Sequence, residues 1–279
     1  TLFSQDASTR LGKKISEKAR NTLLENAKNE MVRATGSYAN LSFLGGLVYE
    51  QAIRGLGARA ELALTKPAPT ASKFYFAGDF DHPGTAPKDM APSESHPVHS
   101  KDRPASFKLI SRDHPNFLLA PGTAKETVST HIAKLTRLSH TFKKLDQGFR
   151  DGLIWVYASL ENGVHMAYPG HGGYPKGFDA RKRPWYVRAK QSGKLSWFPV
   201  VDATTGQLLL TVSIPFNGPD GSMAGVVGMD IKITQALLES EITAQWSKSM
   251  VSFMVGEETD PGSGESEVWV LSSPGTGPE

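Results

Sequence analysis

Apolar positions along the first sixty-five residues recur every three to four places. Leu11, Ile15, Ala19, Leu23, Ala27, Met31, Ala34, Tyr38 and Leu41 fall in this rhythm, with Lys13, Lys14, Glu17, Lys18, Glu25 and Lys28 on the other faces. The pattern predicts one long helix from about Ser8 to Leu64, with Gly45-Gly46 as a possible kink and Pro67 and Pro69 beyond its end. A helix of ~50 residues is ~75 Å long, more than a domain of this size can cover. Its early part is therefore expected to stand out as a stalk or to pair with a second copy of itself. Two ordinary helices broken at the glycine pair are the alternative.

After the helix the rhythm disappears. Residues 66–122 are rich in Pro, Ser, Asp and His and read as irregular, a lid or a loop, with Phe74-Tyr75-Phe76 and Phe117-Leu118-Leu119 as short apolar runs able to dock on a core. Periodicity returns from Thr123 to Gln147 as a second helix, with Val128, Ile132, Leu135, Leu138, Phe142 and Leu145 on one face. The period then shortens to two. Leu153–Ser159 and Val164–Tyr168 predict a strand pair turned by Glu161-Asn162-Gly163. Leu195–Val201, Gln207–Phe216 and Met223–Ile231 predict three more strands, which completes an antiparallel meander of five, with Pro184–Gln191 as a short helix inside it. A helix from Thr234 to about Ser247 and strands at Met250–Val255 and Glu267–Leu271 come last. The fold class is α+β. The divisions are a helix at 1–65, a sheet domain at 66–232, and a connecting helix with the start of a second sheet at 233–279.

Composition narrows the function classes. The 279 residues carry 31 Lys and Arg against 28 Asp and Glu, a net charge of +3, and the basic residues are dispersed, which argues against nucleic acid. There is no cysteine, so thiol catalysis, zinc fingers and disulfide staples are excluded. No run of ~18 apolar residues and no signal-peptide pattern occur. The chain starts inside a helical pattern and ends in Ser272-Ser273-Pro274-Gly275-Thr276-Gly277-Pro278-Glu279 without a finished element, so both ends read as cut; if the protein is a receptor, its membrane helices are expected outside this chain. His96-Pro97-Val98-His99, with His82 and His114, lacks the spacing of a metal site and reads as solvated loop histidines. Gly170-His171-Gly172-Gly173 reads as a sharp turn and not a phosphate loop. No nucleophile–base spacing appears, and neither a metal nor a cofactor is expected; a secreted hydrolase would need a carboxylate pair or nucleophile that the chain does not nominate.

The chemistry-bearing residues cluster late in the chain. Asp179-Ala180-Arg181-Lys182-Arg183-Pro184-Trp185-Tyr186 is followed by Trp197-Phe198-Pro199-Val200-Val201-Asp202, then Thr204-Thr205-Gly206, Thr211-Val212-Ser213-Ile214-Pro215, and Gly225-Val226-Val227-Gly228-Met229-Asp230-Ile231. This ordered set resembles the double Cache (dCache) sensor domains of bacterial chemoreceptors, histidine kinases, cyclases and phosphatases. The resemblance implies a long stalk helix, a membrane-distal PAS-like antiparallel sheet that holds a ligand, and the start of a membrane-proximal PAS-like sheet. It further implies a periplasmic or extracellular position, membrane anchoring in the full-length protein, a homodimer through the N-terminal helix, and a sensing role in place of catalysis.

A small zwitterion or carboxylate needs a cation, a carboxylate and walls that exclude water. Arg183 supplies a planar fork of donors, Trp185 and Tyr186 supply rigid aromatic surface, and Asp230 and Asp202 can accept from an ammonium. In amino-acid-binding members a Tyr precedes that Arg by five residues and another follows it; Phe178 and Val200 stand at those places, so two hydroxyls are missing and a related amine, carboxylate or other small metabolite is expected as readily as an α-amino acid. Tyr157 and Tyr168 are further candidates for the wall. Against this stands packing: the two rings can seat the short helix on the sheet, Arg183 can pair with Asp179 or Asp202 on the surface, and Asp230 can cap the following helix. The rival function is a ligand-free structural or interaction module that signals by partner contact.

Overall fold

A computed structural model describes residues 2–70, 74–98, 106–232, 253–259 and 266–272. The chain divides into two units, residues 1–45 and residues 46–279. Helix α1 (Leu2–Thr65) is a single element that runs through the glycine pair. In the first unit Leu11, Ile15, Leu23, Leu24, Met31 and Val32 are exposed.

In the second unit α1 contributes one stripe to the main core. Tyr49, Ile53, Leu56, Ala60 and Ala63 are buried at alternating spacings of four and three, with Leu64 four places after Ala60, which places them on one helical face. Against them packs a seven-stranded sheet, counted among the described residues. Its strands are β1 (Tyr75–Phe76), β4 (Asn116–Leu119), β5 (Leu153–Leu160), β6 (Val164–Tyr168), β7 (Ser196–Val201), β8 (Leu208–Asn217) and β9 (Met223–Lys232). Helices α2 (Lys125–Leu135) and α3 (Ser139–Gly148) cover the same face as α1, through Val128, Ile132, Leu135 and Phe142. A 3-10 turn at Thr136–Leu138 separates them where one continuous helix is expected.

Two expectations about the sheet are corrected. The order is β1-β4-β6-β5-β9-β8-β7, so the five predicted strands do not form a simple meander. Strand β5 is buried throughout and pairs with β6 on one side and with β9 on the other. A meander would leave that second edge, in the centre of the core, without backbone partners, and β9 satisfies it. The described residues of 66–122 also include strands where irregular chain is expected. Phe74-Tyr75-Phe76 and Phe117-Leu118-Leu119 dock as expected, but as strands, with β1 parallel to β4 and β4 antiparallel to β6. A separate antiparallel pair, β2 (Ala91–Val98) with β3 (Ser106–Ile110), lies between them in sequence.

The other sheet face carries a second cluster built on α4 (Pro184–Ser192), which starts with Pro at its first turn and ends at Gly193 with φ +63°. The helix expected at Thr234–Ser247 lies outside the described residues. Beyond it β10 (Phe253–Thr259) and β11 (Ser266–Ser272) form an antiparallel pair.

Candidate functional site

Alternation along the central strands decides which side chains meet. On β9, Val227, Met229 and Ile231 enter the helix-covered core, while Gly228 and Asp230 face the opposite side. On β6, Val164, Met166 and Tyr168 take the helical side, while His165 and Ala167 face away from it. The outward set surrounds a cavity of about 50 Å³. Room for one water needs ~10–15 Å³, so the space suits a few waters or a compact ligand. Its walls include Trp155, Tyr157, His165, His171, Tyr174, Phe178, Arg183, Trp185, Val200, Asp202 and Asp230.

Asp230 is buried, and its Oδ1 accepts hydrogen bonds from Tyr157 Oη (2.8 Å) and Thr211 Oγ1 (2.6 Å). Oδ2 accepts none among the described residues. Burial raises the Asp230 pKa to about 7, and Asp202 adds to the rise; the two hydroxyls and the Arg183 charge oppose it. Arg183 sits between the 3-10 turn Ala180–Lys182 and α4, half-buried, with its guanidinium 6.0 Å from the Phe178 ring centre. Nη2 donates to the Val201 carbonyl at 3.4 Å, and the remaining donors are unused among the described residues. Trp185 is buried against Tyr157, ring centres 4.6 Å apart, and its carbonyl accepts from Ser213.

Asp202 has a different position. Oδ2 accepts from Trp155 Nε1 (3.2 Å), Thr204 Oγ1 (3.0 Å), the Thr205 amide (3.0 Å) and the Thr205 hydroxyl, and Oδ1 accepts from the Thr204 amide. Burial pushes its carboxyl upward, but these donors and His171 outweigh it, so the pKa falls below the ordinary value. Asp202 thus lines the cavity while its acceptor capacity holds the 202–206 loop and the Trp155 ring.

Of the residues predicted from sequence, Arg183, Trp185, Asp230, Asp202, Tyr157, Phe178 and Val200 meet around this space. Tyr186 and Tyr168 do not line it. Tyr186 is turned away and donates to Glu161 Oε1 at 2.7 Å, because Glu161 in the β5–β6 turn also holds Lys190 of α4. Tyr168 belongs to the opposite face by strand alternation and donates to the Arg112 carbonyl at 2.6 Å. The surface pairing of Arg183 with Asp179 is likewise absent among the described residues; Asp179 takes a bidentate contact from Arg181.

Sequence reasoning missed an aromatic and imidazole wall. Trp155 lies between His96 (ring centres 4.3 Å) and His171 (4.2 Å), and His171 stacks on Tyr174 at 4.7 Å. His96, expected as a solvated loop residue, is buried: Nδ1 meets Ser93 Oγ at 2.8 Å and Nε2 meets the Ile154 carbonyl at 3.0 Å. Strand β2, read as loop from its prolines, presses it into the second core. The alternation His165-Met166-Ala167-Tyr168 was the available signal for His165. No comparable signal marked His171 and Tyr174, whose loop is shaped by contacts: a Cβ on Gly172 would lie 2.9 Å from the Ala77 carbonyl, and on Gly170 2.6 Å from the Phe80 ring. Among the described residues no group of three or more His, Asp or Glu could hold a metal.

Residues 133–236 match the family described as methyl-accepting chemotaxis protein-like, first PDC sensor domain. The chain is 35% identical over 88 residues to the methyl-accepting chemotaxis protein McpB of Bacillus subtilis (strain 168), which is 31% of this chain and 12% of that protein. It is 32% identical over 108 residues to TlpB, a methyl-accepting chemotaxis protein of the same organism, which is 38% of this chain and 15% of that protein. The chain thus spans about an eighth of the length of these receptors. Among solved structures, the ligand-binding domain of the Pseudomonas aeruginosa PAO1 amino acid chemoreceptor PctC, in complex with GABA, is similar at 24% identity and a TM-score of 0.35, covering 43% of this chain and 54% of that one. No described helix is long and apolar enough to cross a membrane. The segment that matches this family, residues 133–236, contains every residue named in the cavity wall, so the likeness to first PDC sensor domains falls on the part of the chain that builds the cavity.

Proposed function

We propose that this chain is the extracytoplasmic sensing module of a bacterial signalling receptor, a chemoreceptor in the first place, and that it binds a small amino-acid-like, amine or carboxylate ligand without chemical conversion. One observation carries the reading: a guanidinium with unused donors and a carboxylate with an open oxygen, brought together from positions 183 and 230, face the same aromatic-walled hollow. Arg183 would take the acid group, Asp230 Oδ2 the ammonium, and Trp185, Tyr157 and Phe178 would exclude water. Solid packing of these groups would favour a ligand-free interaction module; the open space supports sensing.

Ligand binding would favour one packing of the sheet against α1 and shift the receptor between output states. The exposed Leu23, Leu24 and Met31 support pairing of the first unit with a second copy. A thermal-shift screen of amino acids, amines and carboxylates tests the reading. A stabilising ligand is expected for the native chain, and Arg183→Ala and Asp230→Asn should each abolish its effect. Unchanged affinity in both variants would remove these residues from the site. Light scattering with and without that ligand checks the dimer.

A further inference from the structure

His165 is the polar side chain that β6 turns toward the cavity, between Val164 and Met166, which enter the helical core. Its Nδ1 lies 2.7 Å from the hydroxyl of Ser159, a fully buried residue of β5. That hydroxyl has no other partner among the described residues. A buried O–H must place its proton on an acceptor. Were the ring hydrogen on Nδ1, the Ser159 hydrogen would have nowhere to go. Ser159 therefore donates to Nδ1, and the ring hydrogen sits on Nε2.

Nε2 makes no hydrogen bond among the described residues. It is also not sealed in packing, since the sealed and unpartnered side-chain nitrogen is His131 Nδ1, elsewhere in the fold. His165 lines the cavity, and with Nδ1 held by Ser159, Nε2 is the ring nitrogen left to face it. Burial lowers the His165 pKa to about 3, so the ring is neutral across the physiological range. Three aromatic rings surround it, with centres at 5.7 Å (Phe178), 5.8 Å (Tyr157) and 5.9 Å (Tyr174). The result is a neutral, oriented N–H donor with three aromatic rings around it, and a buried donor left unpaired is costly.

Arg183 and Asp230 read groups common to every amino acid, so they cannot discriminate among side chains. Phe178 and Val200 bring no hydroxyl. We propose that His165 is the specificity-determining residue of this cavity: its Nε2–H donates to a hydroxyl or amide oxygen on the ligand's side chain, so that compact polar ligands are selected over aliphatic ligands of the same shape. This rests on the sensing reading above and names the ligand class within it. A hollow of about 50 Å³ adds the requirement that the side chain be short.

The test is calorimetric binding of two isosteric pairs, L-threonine with L-valine and L-asparagine with L-leucine, to the native chain, His165→Phe and Ser159→Ala. The native chain should prefer the polar member by roughly tenfold, the value of one well-made hydrogen bond. His165→Phe keeps the ring and removes the donor; both members should then bind within about twofold of each other. Ser159→Ala frees the tautomer and should narrow the preference, and it decides the matter if His165→Phe gives no cooperative melt. Equal binding of both members by the native chain overturns the inference alone. So does a polar preference that survives His165→Phe, or an equal loss of both ligands in that variant, which would assign the imidazole to the common amino-acid core. No binding of any pair by the native chain overturns the sensing reading and this inference with it.

Discussion

Asp230 and Asp202 share one cavity yet shift in opposite directions. Burial with two hydroxyl donors on one oxygen leaves Asp230 near pKa 7, whereas the donors around Asp202 overcome its burial. An ammonium ligand favours the ionised form of Asp230. Affinity for amine-bearing ligands should therefore rise with pH through about 7, with proton release on binding near neutrality. Calorimetry from pH 5.5 to 8.5, in buffers of different ionisation enthalpy, checks this, and a flat profile would rule out direct contact with Asp230. The histidines set stability. His96 is lowered to about 4, and His165 and His171 to about 3, all chiefly by burial. Between pH 6.5 and 4 the unfolded chain takes up protons on these three groups that the folded chain refuses, so stability falls as pH drops. Asp230 works the other way: its folded pKa exceeds the unfolded value, and its contribution is full below about pH 4 and lost as pH rises through 7. Three groups outweigh one, so the denaturant midpoint should drop from pH 7 to pH 5, and His165→Phe should reduce that drop.

Elements hold these residues by close backbone approach and by a few polar ties. Gly228 on β9 lets the Tyr157 ring lie flat on the strand; a Cβ there would sit 2.6 Å from its Cζ and 2.7 Å from its Oη. Gly228→Ala should displace Tyr157 from Asp230, costing ~1–3 kcal/mol and the ligand response together, read from denaturation and binding of the same sample. Helix α4 is tied to the β5–β6 turn by Glu161, which accepts from Tyr186 and Lys190, while Arg181 donates to its carbonyl. Tyr186→Phe and Glu161→Gln should each cost ~1 kcal/mol, and the double variant little more than either; additive losses would dissolve the tie. Much of this level was readable. The strand pairs beginning at Leu153 and Gln207 and the Pro-led α4 announce themselves by period and punctuation, and Arg183, Trp185 and Asp230 stand out by ordered motif. Strand β1 has two residues and β4 four, too short to display a period, and β9 inserts beside β5 for reasons of edge pairing that no local window contains. Tyr186 was misplaced because its partner Glu161 lies 25 residues away.

At the scale of the molecule, one helix serves two environments. From Tyr49 to Leu64 its apolar stripe is core, whereas Leu24 and Met31 are exposed. Ile53→Ala should cost ~2–5 kcal/mol, and Leu24→Ala within ~0.5 kcal/mol for the lone chain; denaturation at low and high protein concentration separates the folding cost from any cost to pairing. One point where the helix meets the sheet closely is Gly57, whose Cβ position lies 3.6 Å from Ile214 and 3.8 Å from Val227. The residue after Val227 is Gly228, beneath Tyr157 at the cavity. Neighbouring residues of one strand thus touch the helix on one face and the cavity wall on the other. If the cavity holds a ligand as proposed, coupling across so thin a wall would run equally in both directions: a clamp applied to the helix from outside, such as a crosslink or a bound antibody, would retune how tightly a ligand is kept, just as the ligand would bias the helix.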